Sequence, residues 1–111
     1  MVPRLKAGIF VRALIRRVEV AGAAAYVVRK GGEEAGAVIL KVSPLDGTTT
    51  LLTQARRGAG ELVWLKPLGE HVDDATATAW LDKQIKFDPD LWIVEIEDRQ
   101  GRTFVDEPVV S

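Results

Sequence analysis

Five carboxylates fall within the twelve residues FDPDLWIVEIED, from Phe87 to Asp98, around a run of large apolar side chains. Clustered carboxylate oxygens are the ligands that hard cations such as Mg²⁺ and Ca²⁺ prefer, so the stretch is a candidate metal site. The candidate ligands are Glu95, Glu97 and Asp98, with Asp106 and Glu107 further along the chain. EF-hand spacing is not present, and Glu97 stands where a nuclease-like E-x-K pair would place its lysine.

Strand alternation offers a second interpretation of the same carboxylates. One strand face would carry Trp92, Val94, Ile96 and Asp98, and the other would carry Leu91, Ile93, Glu95 and Glu97. The second face is apolar in one half and acidic in the other, as expected where a sheet emerges from under a covering helix. We therefore favour a core strand with charged ends over a metal site, and we assign no catalytic residue.

The basic residues form a second candidate site. They are Arg12, Arg16 and Arg17 on the outer side of the first predicted helix, and Arg29 and Lys30 at the end of the next strand. Such a face could bind phosphates through sequence-independent charge contacts. However, aromatic residues do not interleave with these charges, as they do in many single-strand binders.

The charge distribution suggests where the basic residues find partners. The chain has eleven basic and five acidic residues up to Lys66, and four basic and eleven acidic residues after it. We expect the two halves to pack together and neutralise each other, which would leave little free charge for a polyanion.

Composition and motifs exclude several other chemistries. The chain has no cysteine, so disulfides, thiolate metal sites and cysteine nucleophiles are excluded. No Walker loop, dinucleotide-binding fingerprint, nucleophile elbow or HExxH motif is present. His71 is the only histidine and falls in a predicted loop, where a solvated role is more common than a catalytic one. We therefore predict no cofactor and favour a non-enzymatic protein over an enzyme.

Hydrophobic periodicity predicts the scaffold order α-β-β-β-β-α-β. Helices are predicted over 9–21 and 74–87, and strands over 24–29, 36–42, 48–55, 62–66 and 91–97, with a short strand at 103–105. KGGEE is predicted to be a hairpin loop, because short connections join antiparallel neighbours and parallel pairs need long crossovers. Asp73 is predicted to cap the second helix, and Trp92 and Leu81 are predicted to be buried.

These elements predict a single α+β domain with a mainly antiparallel sheet of about five strands and two helices on one face. The domain should span residues 1–111, with frayed ends at 1–4 and 107–111. A length of 111 residues with 47% apolar and 28% charged residues is typical of one globular domain. No apolar run approaches the ~18 residues of a membrane span, so we expect a cytoplasmic protein without a membrane partner.

Four segments give the chain a resemblance to a known family. They are RLKAGIFVRALIRR, AYVVRKGGEEAGAVILKV, the LDG turn and DPDLWIVEIEDRQGR, which together cover nearly the whole chain in order. In these segments it resembles an uncharacterised family of short alphaproteobacterial proteins, the domain-of-unknown-function family 1491. The resemblance implies a stand-alone cytoplasmic bacterial protein, and it brings no activity, cofactor or catalytic residue with it.

Three functional hypotheses follow, in order of preference. The first is a small non-enzymatic interaction module that binds an unknown protein partner. The second is a nucleic-acid-binding protein that uses the basic face of the first helix. The third is a carboxylate-dependent metal enzyme at Glu95, Glu97 and Asp98. The sequence does not fix the identity of the partner or the oligomeric state.

Overall fold

The computed structural model describes residues 6–110, which form one α+β domain of two helices and seven strands. The elements are α1 (Ala7–Val20), β1 (Ala24–Arg29), β2 (Val38–Ser43), β3 (Thr48–Arg57), β4 (Glu61–Leu65), β5 (Val72–Asp73), α2 (Asp74–Phe87), β6 (Trp92–Glu97) and β7 (Val109–Val110). The predicted fold class, both helices and the five main strands are confirmed. Within residues 6–110, no helix is long and apolar enough to cross a membrane.

The two ends of the chain were predicted less well. The short strand predicted at residues 103–105 is wrong, because that segment is irregular and Val109–Val110 pairs with β4 instead. The frayed segment predicted at residues 1–4 lies outside the described residues, as does residue 111 of the other predicted frayed end.

The strand order in the sheet is β1-β6-β2-β3-β4-β7, and β5 pairs with β3. The predicted β1–β2 hairpin is wrong, because β6 lies between the two strands, antiparallel to β1 and parallel to β2. The sheet is therefore mixed, and β4 and β7 form a second parallel pair. The parallel β2–β6 pairing is sterically accessible because β3, β4, β5 and α2 together supply the long crossover that it needs.

The KGGEE segment crosses the end of β6 instead of turning tightly. The Gly32 amide donates to the Asp90 carbonyl at 2.9 Å, and the Trp92 indole N–H donates to the Gly32 carbonyl at 2.7 Å. A Cβ atom at Gly31 or Gly36 would lie 2.1 or 2.5 Å from the Asp90 carbonyl oxygen. Glycine is needed at both positions because the two backbones pass too close for a side chain.

The two helices pack on opposite faces of the sheet, so the prediction that both lie on one face is wrong. The α1 face buries Ala7, Val11, Leu14, Val18, Val38, Leu40, Val42, Leu52, Trp64, Trp92, Val94 and Ile96. The α2 face buries Ile39, Leu51, Ala77, Leu81, Leu91 and Ile93. Alternate residues of β2 and β6 thus serve different helices. The predicted burial of Trp92 and Leu81 is confirmed.

The backbone amides at the start of each helix find their hydrogen-bond acceptors in different ways. At α1, the Ala7 and Gly8 amides donate to the Glu34 and Glu33 carbonyls of the crossing loop, at 3.3 and 2.9 Å. At α2, the Asp73 side chain accepts from the Thr76 amide at 2.7 Å, which confirms the predicted N-cap. These contacts fix where α2 begins and tie the start of α1 to the KGGEE segment.

Candidate interaction surfaces

Glu95 and Glu97 lie on the α2 face of the sheet, in the part that α2 leaves uncovered. The Tyr26 hydroxyl donates to Glu95 at 2.6 Å and to Glu97 at 3.1 Å. Lys41 Nζ lies 3.3 Å from Glu95 Oε1, and both side chains are only 15% exposed. The pKa of Tyr26 is raised above its ordinary value. The largest cause is the hydrogen bond to Glu95, followed by burial and the hydrogen bond to Glu97. The two carboxylates are thus held by a tyrosine and a lysine of neighbouring strands.

Asp98 lies apart from these two carboxylates and is held by Arg102. Its side chain is only 7% exposed, and Asp98 Oδ2 and Oδ1 accept from the Arg102 guanidinium at 2.9 and 3.1 Å. The same carboxylate accepts from the Arg102 backbone amide at 2.9 Å. These hydrogen bonds to Arg102 lower the pKa of Asp98 to about 2. The arrangement closes the turn that follows β6.

The other two acidic residues of the candidate metal set are also engaged. Asp106 lies 3.4 Å from the Arg17 guanidinium, and Glu107 accepts from the Trp64 indole N–H at 3.0 Å. Within residues 6–110, no three His, Cys, Asp or Glu side chains lie close enough together to hold a metal ion. The five candidate ligands therefore contact different partners in four places: Glu95 and Glu97 near Tyr26, Asp98 at Arg102, Asp106 at Arg17 and Glu107 at Trp64.

The predicted basic residues are distributed over both sides of the sheet. On α1, Arg12 pairs with Glu33 at 2.8 Å, and Arg17 donates to the Phe104 carbonyl and pairs with Asp106. Arg16 and Lys30 are exposed. Arg29 pairs with Ile93 in the β1–β6 register, which places it on the α2 side, and its guanidinium donates to the Pro89 carbonyl at 2.9 Å.

A groove beside α2 was not predicted from the sequence. It encloses about 200 Å³ and is lined by Ala37, Val38, Ile39, Thr53, Gln54, Trp80, Gln84, Phe87, Asp88 and Leu91. Trp80, Gln84 and Phe87 follow one another at helical spacing on α2. Phe87 is 84% exposed at the rim. The helical spacing was visible in the sequence, but the opposite wall is supplied by β2 and β3 and needs the tertiary structure.

The edge strand β1 forms a second apolar surface. Three consecutive large side chains are exposed there, Tyr26 by 44%, Val27 by 41% and Val28 by 49%. Among residues 6–110, β6 is the one strand that pairs with β1, and a bulge lies between Val27 and Arg29. The sequence predicted this strand but paired it with β2 in a hairpin, whereas the structure inserts β6 between the two strands and places β1 at the edge of the sheet.

A second cavity, of about 230 Å³, lies on the α1 side of the sheet near His71. His71 Nδ1 lies 3.3 Å from the Thr48 hydroxyl, and the His71 amide donates to the Thr50 hydroxyl at 3.0 Å. Lys66 and Glu70, which also line this cavity, form an ion pair with each other. The charges of this cavity are therefore already matched to one another, which makes it a weaker candidate than the two apolar surfaces.

Comparisons with known proteins agree on one family. The family described as "Protein of unknown function (DUF1491)" matches residues 5–106. The crystal structure of a DUF1491 family protein from Caulobacter crescentus CB15 is 44% identical over 96% of this chain and all of that chain, with a TM-score of 0.90. An NMR structure of a DUF1491 family protein from the same organism is 46% identical over 96% of this chain and 97% of that chain, with a TM-score of 0.84.

A third solved structure is more distant. The solution structure of protein Atu0922 from A. tumefaciens is 35% identical over 86% of each chain, with a TM-score of 0.72. The comparison with curated proteins gives no significant match. The fold is thus shared with relatives in two bacteria, and no function comes with it.

Proposed function

The chain belongs to the DUF1491 family of proteins of unknown function, and we propose that it is a small, cytoplasmic, non-enzymatic module that binds a partner protein beside α2. The observation that carries the proposal is Phe87, a large aromatic side chain that is 84% exposed at the rim of an apolar groove. Exposed aromatic residues next to a concave apolar surface are typical of interface hot spots.

The groove has the form of a site for one apolar anchor residue of a partner segment. Trp80 and Phe87 lie two helical turns apart on one side, while Ile39 and Leu91 belong to the apolar cluster beneath. A volume of about 200 Å³ accommodates a single large apolar side chain rather than a whole helix. Aromatic walls supply much contact area at a low cost in conformational entropy.

The charges near the groove indicate what should flank that anchor. Asp88 lines the groove at the C-terminal end of α2, and Asp90 follows two residues later. The last carbonyls of the helix add partial negative charge at the same place. Lys86 in the last turn offsets one of these charges. We therefore infer a partner segment with a lysine or arginine beside its apolar anchor.

The ion pairs of the basic residues support a protein partner over a nucleic acid. Arg12 and Arg17 are paired with Glu33 and Asp106, so the charge that they present to a polyanion is reduced. Electrostatic attraction of phosphates depends on such free charge and weakens with salt. A nucleic-acid-binding protein therefore ranks second.

The test is a pull-down from the native host with three tagged proteins. The proteins are the wild type, Phe87→Ser and Val20→Ser, because Val20 is a similarly exposed apolar residue (77%) at the end of α1. A specific partner should be lost by roughly tenfold with Phe87→Ser and retained with Val20→Ser, since one anchor contact is worth about 1–2 kcal/mol or more. Equal capture by all three proteins would overturn the proposal.

A further inference from the structure

We propose that the cavity near His71 binds a free aliphatic α-amino acid as its zwitterion. The cavity encloses about 230 Å³ between the sheet and the loops that follow β2, β4 and β6. β2 and β6 run parallel, and β4 runs in the same direction because β3 is antiparallel to both β2 and β4. The three loops therefore leave the same edge of the sheet, at the carboxyl ends of these strands, which is the end at which open α/β sheets bind their ligands.

Backbone strain is concentrated around this cavity. Among residues 6–110, the non-glycine residues with positive φ are Leu45 (64°), His71 (55°) and Phe104 (61°), one in each of the three loops. His71 lines the cavity, and Leu45 and Phe104 each follow a lining residue, Pro44 and Thr103. Left-handed backbone is unfavourable for residues with a side chain, and in proteins it is concentrated at binding and catalytic sites. The strain indicates that the three loops do more than connect the strands.

The inner part of the cavity is apolar, and its volume is that of a small metabolite. Val42, Leu52 and Val109 line it, and Val42 and Leu52 are buried in the sheet. At about 30 Å³ per water molecule, a volume of 230 Å³ corresponds to about eight waters, or to about eight to ten non-hydrogen atoms of a ligand. This is the size of valine, leucine or methionine, whose side chains match the apolar lining. Drug-sized ligands occupy larger pockets, of about 300–1,000 Å³.

The charges at the opening of the cavity match a ligand that carries both signs. Lys66 and Glu70 are paired with each other, so a ligand with a single charge would have to compete with one partner for the other. A zwitterion lies alongside the pair, with its carboxylate at Lys66 and its ammonium group at Glu70, and leaves the pair intact. The Thr50 hydroxyl oxygen accepts from the His71 amide at 3.0 Å, so its proton can be donated to the ligand carboxylate. The matched charges, which weigh against a partner protein here, therefore favour an amino acid.

His71 supplies a second acceptor for the ammonium group. The Thr48 hydroxyl donates to Asp46 Oδ1 at 2.6 Å, so it accepts from His71 Nδ1, which lies 3.3 Å away. Nδ1 therefore carries the ring proton, and Nε2 keeps its lone pair. Nε2 lies 4.0 Å from Glu70 Oε2, too far for a direct hydrogen bond. An ammonium nitrogen between these two atoms can lie about 2.9 Å from both, at hydrogen-bond distance.

Isothermal titration calorimetry of the full chain with L-valine, L-leucine and L-methionine tests the proposal. At least one of the three should bind with a dissociation constant on the order of 100 μM, as expected for so small a ligand. Analogues of the tightest-binding amino acid that lack either the ammonium or the carboxylate group should each bind about tenfold more weakly, because each meets only one of the two charges. Absence of binding by all three amino acids up to about 10 mM, or equal binding by either analogue, would overturn the proposal.

A matched pair of variants tests the role of Glu70. Glu70→Gln removes the charge that binds the ammonium group and should weaken binding about tenfold or more. Glu61→Gln is the control, because Glu61 forms an ion pair of the same i,i+4 spacing with Arg57 and is as exposed as Glu70 (54% against 55%). The control should bind like the wild type, and thermal melts verify that both variants are folded. Unchanged binding by Glu70→Gln, or an equal loss in both variants, would contradict the assignment.

NMR of the wild type locates the site without any substitution. On titration with the amino acid, the backbone amide signals of Thr50, His71 and Val109 should shift, because these residues line the cavity. The cavity and the groove beside α2 share no lining residue and lie at opposite ends of β2, so this proposal and the proposed function can fail separately. Shifts confined to Trp80 and Phe87 would place the amino acid in the groove and overturn the proposal.

Discussion

The two faces of the sheet differ in how completely they are covered. On the α1 face, the helix and the segment after β6 together enclose a large core, in which Trp64 stacks on Phe10 with ring centroids 5.9 Å apart. Glu107 accepts from the Trp64 indole, and the Pro108 carbonyl accepts from the Trp64 amide at 2.9 Å. Trp64 therefore has apolar neighbours around its ring and hydrogen-bond partners for both its indole and its backbone amide.

The α2 face has a smaller buried cluster and two open sides. On one side, the polar network of Tyr26, Lys41, Glu95 and Glu97 covers the sheet without a helix above it. On the other side, the groove leads to the exposed ring of Phe87. We therefore propose that the α1 face mainly stabilises the fold and that the α2 face carries the surface for a partner, because the charged side chains at the cavity on the α1 side are already paired with each other.

Truncation of Trp64 should produce the largest effect, because this residue is fully buried in the larger apolar cluster, on the α1 face. We expect Trp64→Ala to lower the free energy of unfolding by about 3–5 kcal/mol through lost burial and an unfilled cavity. Urea unfolding followed by circular dichroism measures this change. A loss of less than about 1 kcal/mol would show that the apolar cluster on the α1 face is not the main core.

The corresponding truncation on the α2 face should cost less. Leu81 is buried, but its cluster is half the size of the other one and opens toward the groove, so the site can relax. Leu81→Ala should lower the free energy of unfolding by about 2–3 kcal/mol. If the same urea experiment gave Leu81→Ala a larger loss than Trp64→Ala, the ranking of the two faces would have to be reversed.

Asp98 should contribute stability in a pH-dependent way. Its pKa is lowered from 3.8 to about 2 by the hydrogen bonds to Arg102, so its charged form is favoured in the folded state. This contribution is therefore fully present above about pH 4 and is lost as the pH falls toward 2. Asp98→Asn should cost about 1–2 kcal/mol at pH 7 and less at low pH. A cost that stays constant between pH 7 and pH 2 would contradict the assignment.

The carboxylates of the open network should have the smallest effect. Glu95→Gln together with Glu97→Gln keeps acceptors for Tyr26 but leaves the mostly buried Lys41 without its charged partner, so it should lower the free energy of unfolding by about 1 kcal/mol. Millimolar Mg²⁺, Mn²⁺ or Ca²⁺ should leave the melting temperature of the wild type unchanged. A rise of several degrees that the double substitution abolishes would establish a metal site on this face instead.

Local signals in the sequence predicted the elements of this fold well. The second helix was predicted with its observed limits, because Asp73 marks its start and Pro89 restricts its end. The alternation of residues 91–98 placed Asp98 on the core side and Glu95 with Glu97 on the other, as observed. Each of these predictions depends on contacts within a short stretch of chain.

The arrangement of the elements was harder to predict. The position of β6 between β1 and β2 depends on a crossover of four elements, and short connections alone suggested a hairpin. A strand buried on both faces does read as a nearly continuous apolar run, and LWIVEI is such a run, so its central place had a signal. For the groove, the sequence shows only the helical spacing of its α2 side, because Phe87 meets its neighbours only after α2 packs on β2 and β3.

The most direct test of the central claim is photo-crosslinking in the native host with p-benzoylphenylalanine in place of Phe87 or, in a second protein, of Val20. Both positions are exposed, but only position 87 borders the groove of the α2 face. We predict a discrete protein adduct from position 87 upon irradiation and none from position 20. The same adducts from both positions, or an adduct from position 20 alone, would contradict the claim that the α2 face is the binding face.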